Sequence, residues 1–171
     1  MARQSDSGEF DTKRLKPAHL RRIRSLATMT EEQLGSFFGY VRFLQCGANE
    51  EVCREDEAAD SMFLILQGQV RIMTEGRRGR PYFLRFLEAG DAFGQIALLD
   101  GGRRSATAEA TKDSLLLEFD RKGLERLMAE EPVLASQFLR QIAVELGSQM
   151  RDLTNRLAKD GALQQALRPM L

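Results

Sequence analysis

The sequence contains no tryptophan, a single histidine, His19, and only two cysteines in 171 residues. Cys46 and Cys53 stand seven positions apart, which is not the spacing of a zinc site, and no nucleophile, carboxylate pair or metal cluster gathers around a common segment. We therefore predict that the protein is not an enzyme and that it holds no metal or cofactor. The two cysteines are interpreted as buried thiols rather than as a redox pair.

The sequence also lacks an excess of charge and any long apolar run. Lys plus Arg and Asp plus Glu both total 25, so the net charge gives no general attraction to nucleic acid or to an anionic membrane. No run reaches membrane-spanning length, and residues 1–11 lack the apolar core of a secretory signal. These absences predict a protein without a membrane span, located in the cytoplasm.

Length and composition predict one domain with appendages. A chain of 171 residues with 43% hydrophobic content can bury one core and is short for two. We predict a disordered tail at 1–12, helices at 13–39, a single domain at 40–158 and a loosely held tail at 159–171. Within the domain, strands are expected over 40–119 and helices over 120–158.

A basic segment precedes the domain. Between Lys13 and Arg24 there are six basic side chains besides His19, and apolar residues recur near helical spacing: Leu15, Leu20, Ile23 and Leu26. This pattern predicts a basic amphipathic helix. Three interpretations stay open: a solvated helix packed by its apolar stripe, a docking surface for an acidic partner, and a membrane contact.

Capping residues locate three further helix starts. Thr30 with Gln33 fits a capping box, and the helix it opens is expected to end at Gly39. Asp120 is a plausible N-cap, and Pro132 suits the first turn of a longer helix.

Between these helical regions the pattern changes to short apolar runs separated by turn residues, which predicts about eight strands. The runs are 40–46, 51–54, 62–66, 70–74, 82–87, 92–94, 105–111 and 114–119. Their spacing of roughly a dozen residues is typical of a small antiparallel barrel or jelly roll. The predicted fold class is therefore mainly β with flanking helices.

The last predicted helix carries a continuous apolar stripe over five turns: Leu139, Ile142, Leu146, Met150, Leu153 and Leu157. Because one small barrel cannot cover a stripe of this length, we expect its first half to pack on the barrel and its second half on another copy of the chain. The sequence thus predicts a homodimer.

The segment from Phe93 to Thr107 has the parts of an anion site. Gly94 allows the backbone to approach a ligand, and Gln95 to Leu99 can form one helical turn with free N–H groups at its start. A glycine turn, Gly101-Gly102, leads to Arg103-Arg104-Ser105-Ala106-Thr107, which returns an arginine on the next strand. These features suit a phosphate group.

This segment resembles the phosphate-binding cassette of the cyclic nucleotide-binding domain family, which includes the sensor domains of catabolite activator protein and of the protein kinase A regulatory subunit. The family pattern is Phe-Gly-Glu-Leu/Ile-Ala-Leu-Leu, a short turn, then Pro-Arg-Ser/Ala-Ala-Thr. The resemblance extends over about residues 30–158, through Gly47, the 60–68 strand and turn, and Gly90-Asp91. It implies an eight-stranded β-roll with a long final helix that acts as a lid or a dimer seam.

The resemblance also implies roles for individual residues. Arg104 would pair with the cyclic phosphate, beside Ser105 and the backbone N–H groups of Ile96 and Ala97, where Gly94 permits the close approach. Leu84 would lie against the sugar or the base.

Three positions depart from the family pattern. Gln95 replaces the Glu that, in the family, accepts a hydrogen bond from the ribose 2′-hydroxyl. The neutral amide weakens binding by roughly 1 kcal/mol relative to a carboxylate, so we expect Gln95→Glu to strengthen mononucleotide binding. Arg103 replaces a Pro and, with Gln95, makes the pocket more positive. Glu55 replaces a Gly in a loop.

Two functions remain open. The first is a stand-alone sensor that binds cyclic AMP or a similar cyclic nucleotide and signals to a partner protein by repacking its last helix. Only about 13 residues follow Ala158, too few for a helix-turn-helix, so direct DNA binding is not expected. The basic N-terminal segment is a candidate surface for the partner. The alternatives are a cyclic dinucleotide receptor and a ligand-free protein-interaction module on the same fold.

Overall fold

The computed structural model describes residues 15–76 and 80–159, and in these residues one antiparallel sheet is flanked by helices. The strands are β1 (Arg42–Cys46), β2 (Glu51–Cys53), β3 (Ser61–Glu75), β4 (Pro81–Glu88), β5 (Ala92–Phe93) and β6 (Thr107–Asp120). The helices are α1 (Pro17–Leu20), α2 (Glu31–Phe37), α3 (Gln95–Asp100), α4 (Arg121–Glu130) and α5 (Pro132–Lys159), with 3-10 turns at Arg24–Leu26 and Phe38–Tyr40. The predicted fold class is confirmed.

The long strands β3 and β6 form the centre of the sheet. They pair from Ser61 opposite Asp120 to Met73 opposite Thr107, the sheet order is β1-β6-β3-β4, and β2 pairs with β6 and β5 with β3. Successive side chains point to opposite faces. One face fills the interior of the roll, with Phe63, Ile65, Val70, Ile72 and Leu116. The other supports the helices, with Met62, Leu64, Leu66, Leu115, Leu117 and Phe119.

The eight predicted strand segments correspond to six strands, because β3 and β6 each contain two of them. The predicted turn at Gln67-Gly68 is a kink inside β3, where the pairing with β6 shifts register on both sides. Gly68 has a φ of +104°, and a Cβ at this position would lie 2.0 Å from Ser114 Oγ. The strand therefore bends without ending, and only glycine fits the bend.

The predicted continuous basic helix from Lys13 to Arg24 is wrong in the described residues. Helix α1 has only four residues, the residue before Pro17 is extended, and the chain is extended again at Ile23. Proline disfavours helical backbone in the preceding residue. The Arg24 N–H donates to the Gly90 carbonyl at 3.1 Å, which attaches the segment to the roll. The apolar residues of the predicted stripe are nevertheless buried: Leu20, Ile23 and Leu26.

The predicted helix starts are present. Thr30 and Gln33 exchange hydrogen bonds of 2.9 and 3.2 Å between side chain and backbone, which is the capping box of α2. The Asp120 side chain caps α4, and Pro132 begins α5. Helix α2 ends two residues before Gly39, because the chain tightens there into a 3-10 turn.

The helices pack on one face of the sheet, and α5 extends beyond it. Three phenylalanine rings with centroids 5.0 to 5.3 Å apart join helices and sheet: Phe37, Phe119 and Phe138. In α5, Ile142 is fully buried and Leu146 is half-buried, whereas Met150 and Leu153 are 67% and 55% exposed. Met150 and Leu153 of the apolar stripe are therefore uncovered in a single chain.

Some predictions concern regions outside the described residues. The predicted tail at 1–12 lies there, as does most of the predicted tail at 159–171, so the division into these segments stays a prediction. Among the described helices, none combines the length and the apolarity needed to cross a membrane. The cytoplasmic location also stays a prediction.

Candidate functional site

The segment between β5 and β6 begins with a backbone turn that requires glycine. Gly94 has a φ of +81°, and α3 starts directly after it. A Cβ at this position would lie 2.4 Å from Arg104 Nη1 and 3.1 Å from the Ser61 carbonyl oxygen. Both the left-handed conformation and the close contact therefore favour glycine at this position. The N–H groups of the first turn of α3, at Gln95, Ile96 and Ala97, have no intrahelical partner, as at any helix start. No side chain caps this end of the helix.

Arg104 is a buried cation beside this turn, with only 7% of its surface exposed. Its guanidinium donates to the carbonyl of Ser61 and, at 2.9 Å, to the Ser61 hydroxyl, and it lies over the Phe63 ring at 5.1 Å. Its backbone bonds to Asp56 and Glu57 at 2.9 and 2.8 Å. Among the described residues, no carboxylate lies within salt-bridge distance of Arg104. A buried charge without a counter-ion is costly, which favours an anionic ligand at this position.

A cavity of about 100 Å³ lies between the start of α3, Arg104 and helix α5. The structure brings together on its wall most of the site residues expected from the sequence: Gly94, Gln95, Ile96, Ala97, Arg104 and Ser105. The walls also include apolar residues, among them Ile72, Phe93 and Leu146. The cavity thus combines a cationic end, free backbone N–H groups and an apolar surface.

Two expected residues, Leu84 and Arg103, do not line this cavity. In β4, Arg85 pairs with Ile72 and lies two residues before the buried Leu87, so it shares the inward face of the strand and lines the cavity. Leu84 is 44% exposed. The exposed Arg103 side chain donates to the Asp56 carbonyl outside the cavity. The structure therefore does not place these two residues on the cavity wall, and their contact with a ligand stays a prediction.

The sequence did not indicate several cavity residues, including Arg85, Cys53, Leu146 and Gln149. Leu146 belongs to the apolar stripe of α5, and Gln149 lies three residues further on the same helix face, so helical spacing could have indicated both. Arg85 lies two residues before the buried Leu87, so the alternation of side chains along a strand could have indicated its facing.

The cysteines are free and lie in different parts of the sheet. Cys46 is buried in the roll, where burial raises the pKa of its thiol to about 11. Burial also raises the pKa of the Cys53 thiol, against the opposing effect of the Arg104 charge. Neither thiol is activated. In the described part of the chain, no group of three or more His, Cys, Asp or Glu residues could hold a metal ion.

Gln95 is buried on the cavity wall, with 5% of its surface exposed. Its Nε2 atom has no hydrogen-bond partner among the described residues. A second cavity of about 280 Å³ continues beyond Arg85 and Gln149, which line both cavities. Its wall carries ionisable side chains from three elements: Arg24, Asp91, Glu145 and Asp152.

The donor set of the first cavity matches a phosphate monoanion or diester. A guanidinium offers a planar fork of donors that stays charged, and backbone N–H groups complement anionic oxygen. Ligand sites are usually about 300–1,000 Å³ in volume, so the first cavity alone is smaller than a typical site, whereas the two together reach that range.

Sequence comparison relates the chain to proteins of one family. The family profile of the cyclic nucleotide-binding domain matches residues 35–131, more than half of the chain. A CRP-like cAMP-activated global transcriptional regulator from Mycobacterium tuberculosis is 28% identical over 109 residues, which are 64% of this chain and 49% of that protein. The chain thus spans about half the length of this relative.

Solved structures share the fold. A cyclic nucleotide-binding domain from Methylobacillus flagellatus KT superposes with a TM-score of 0.76 at 19% identity, covering 84% of this chain and 85% of that one. The regulatory domain of Toxoplasma gondii PKA, crystallised with cAMP, superposes with a TM-score of 0.62 at 22% identity, covering 75% and 48%. At these identities the likeness concerns the β-roll and its flanking helices.

Proposed function

Because the chain belongs to the cyclic nucleotide-binding domain family, we propose that it is a regulatory sensor that binds a cAMP-like cyclic nucleotide beside Arg104. The observation that carries this proposal is the buried Arg104 guanidinium, which has no carboxylate within salt-bridge distance among the described residues. A cyclic phosphate would supply the missing counter-charge through charge-assisted hydrogen bonds. The family fold is that of sensors and regulators, and the absence of catalytic activity stays a prediction.

Each cassette residue has a distinct part in this binding. Arg104 pairs with the phosphate oxygens, and the N–H groups of Ile96 and Ala97 bind the same anion together with Ser105. Gly94 keeps the backbone close enough for these contacts. Gln95 offers its amide oxygen to the ribose 2′-hydroxyl. The geometry of the cavity wall supports this division of roles.

The output of the sensor is a change in the position of α5. Leu146 and Gln149 of α5 line the 100 Å³ cavity, which is smaller than a typical ligand site. A nucleotide that enters it therefore contacts α5 and favours one helix position over another. A ligand shifts such an equilibrium only through its different affinity for the two states.

We further propose that α5 forms a homodimer seam and that a separate protein receives the signal. Met150 and Leu153 leave an apolar stripe exposed on α5, which is the geometry of a two-helix seam. The partner surface is the exposed basic group of the N-terminal segment, formed by Lys16, Arg21, Arg22 and Arg24.

A cyclic dinucleotide is the second candidate ligand, and Arg85 favours it. This second guanidinium lines both cavities and could pair with a second phosphate. The carboxylates of Asp91, Glu145 and Asp152 on the wall of the second cavity oppose that charge. We therefore favour a mononucleotide.

Calorimetric titration with cAMP, cGMP and a cyclic dinucleotide tests the proposal. We expect binding of a mononucleotide and a loss of about 100-fold or more in affinity in Arg104→Ala, because two charge-assisted bonds contribute about 1.5–3 kcal/mol each. Arg103→Ala is the matched control, since this neighbouring arginine lies outside the cavity. No heat from any ligand at high micromolar concentration would contradict the sensor and favour the ligand-free interaction module.

A further inference from the structure

The unpaired amide of Gln95 is the starting observation. Only 5% of the surface of Gln95 is exposed, and its buried Nε2 atom has no hydrogen-bond partner among the described residues. A buried N–H group without an acceptor is unfavourable, and nearly all such groups in folded proteins are paired. The site is therefore incomplete at this atom in the observed position of α5.

Glu145 of α5 carries a hydrogen-bond acceptor close to this amide. Its half-buried carboxylate lies beside the Gln95 amide, and Arg24 and Asp91 face it from the N-terminal segment and the β4–β5 turn. Arg24 Nη1 lies 3.0 Å from Asp91 Oδ1, so the Arg24 charge is shared between the carboxylates of Asp91 and Glu145. Burial raises the pKa of Glu145, and the Gln95 amide and Arg24 oppose this effect. Arg85 and Asp152 line the same cavity.

We propose that Glu145 is a positioning residue for ribose recognition: when α5 closes on a nucleotide, its carboxylate accepts a hydrogen bond from Gln95 Nε2. This inference rests on the proposed function. The bond would fix the amide with Oε1 towards the ribose 2′-hydroxyl, because the two ends of a planar amide point in opposite directions. It would also connect the ligand contact directly to the helix that carries the signal.

This arrangement changes the expectation for Gln95→Glu drawn from the sequence. A glutamate at position 95 would place two carboxylates side by side in a partly buried site, where like charges repel strongly. We now expect Gln95→Glu alone to weaken nucleotide binding. The exchange Gln95→Glu with Glu145→Gln keeps one amide and one carboxylate, and it should restore binding to at least the wild-type affinity.

Titration of the full chain with cAMP and with 2′-deoxy-cAMP isolates the ribose contact. The wild type should prefer cAMP about five- to tenfold, the contribution of a neutral hydrogen bond. Glu145→Ala should reduce this preference to less than about twofold, as should Gln95→Ala. Asp152→Ala is the matched control, because it removes another α5 carboxylate from the same cavity and should keep the preference. An undiminished preference in Glu145→Ala would overturn the inference.

A second measurement tests the adjacency of Gln95 and Glu145 on which this inference depends, and it needs no ligand. In ¹⁵N-correlated spectra, the Gln95 side-chain amide signals should shift as Glu145 titrates, with a midpoint above the ordinary value of 4.5 because burial raises this pKa. The shift should be absent in Glu145→Ala and kept in Asp152→Ala. Gln95 side-chain amide signals that do not shift as Glu145 titrates in the wild type would overturn the inference, even if a nucleotide binds. Failure of the wild type to bind any nucleotide would instead contradict the proposed function.

Discussion

Replacing Gly94 by alanine tests whether the cassette depends on its backbone geometry. At a φ of +81°, a Cβ costs roughly 1–2 kcal/mol of strain. The same atom would lie 2.4 Å from Arg104 Nη1, so the guanidinium must move and lose a charged hydrogen bond to Ser61 worth about 1.5–3 kcal/mol. The lower entropy of the unfolded alanine chain offsets about 0.4–1 kcal/mol.

These contributions predict that Gly94→Ala lowers the free energy of unfolding by about 2–4 kcal/mol, or the melting temperature by roughly 5–15 °C for a chain of this size. Thermal unfolding followed by circular dichroism measures the shift. Gly39→Ala is the matched control, since no heavy atom would lie within 4 Å of the added Cβ and the φ of Gly39 is outside the left-handed region. It should leave stability unchanged or raise it by about 0.4–1 kcal/mol.

The same variant should weaken nucleotide binding at least tenfold, because Arg104 cannot keep its position. Titration of the folded Gly94→Ala protein at low temperature separates this effect from unfolding. If Gly94→Ala melted with the wild type and bound nucleotide with wild-type affinity, the reasoning from the left-handed turn and the close Arg104 contact would be refuted.

Three further predictions concern other parts of the fold. Met150→Glu with Leu153→Glu should convert a dimer to a monomer in light scattering, and a monomeric wild type at high micromolar concentration would contradict the α5 seam. Burial raises the pKa of Glu145, so the stability contributed by its protonated form is lost as pH rises from below 4.5 through the raised pKa. The free energy of unfolding of Glu145→Gln should therefore increase relative to that of the wild type between acidic and neutral pH. The same pH dependence of stability in both proteins would show that burial does not penalise this charge. Thr30→Ala should lower the melting temperature by roughly 2–4 °C, because an N-cap contributes about 1 kcal/mol, and no change would mean that the capping box of α2 is not stabilising.

Local signals in the sequence predicted the elements that depend on neighbours in the chain. The capping box at Thr30 and the N-cap at Asp120 involve groups only three residues away, so the sequence contains all of their partners. The cassette was predictable for the same reason, because the left-handed turn at Gly94 and the helix start after it are properties of a few successive residues.

Elements that depend on distant contacts were predicted less well. The segment before Arg24 has a helical pattern of apolar residues, but Pro17 and the hydrogen bond from the Arg24 N–H to the Gly90 carbonyl hold it in short turns. Gly90 is 66 positions from Arg24 along the chain. The kink at Gly68 could not be told from a hairpin turn, because the strand continues only through its pairing with β6.

The sequence by itself predicted the fold class and an anion site in the cassette from residue types and short spacings, and the family resemblance singled out Arg104 as the cation of that site. Only the tertiary structure showed that Arg85 and not Leu84 lines the cavity, because the cavity wall is formed by residues of several elements. It also placed Glu145 beside Gln95, two side chains 50 positions apart whose approach depends on how α5 packs against the roll. Contacts between elements follow from the packing of whole helices and strands, and short sequence patterns do not contain that information.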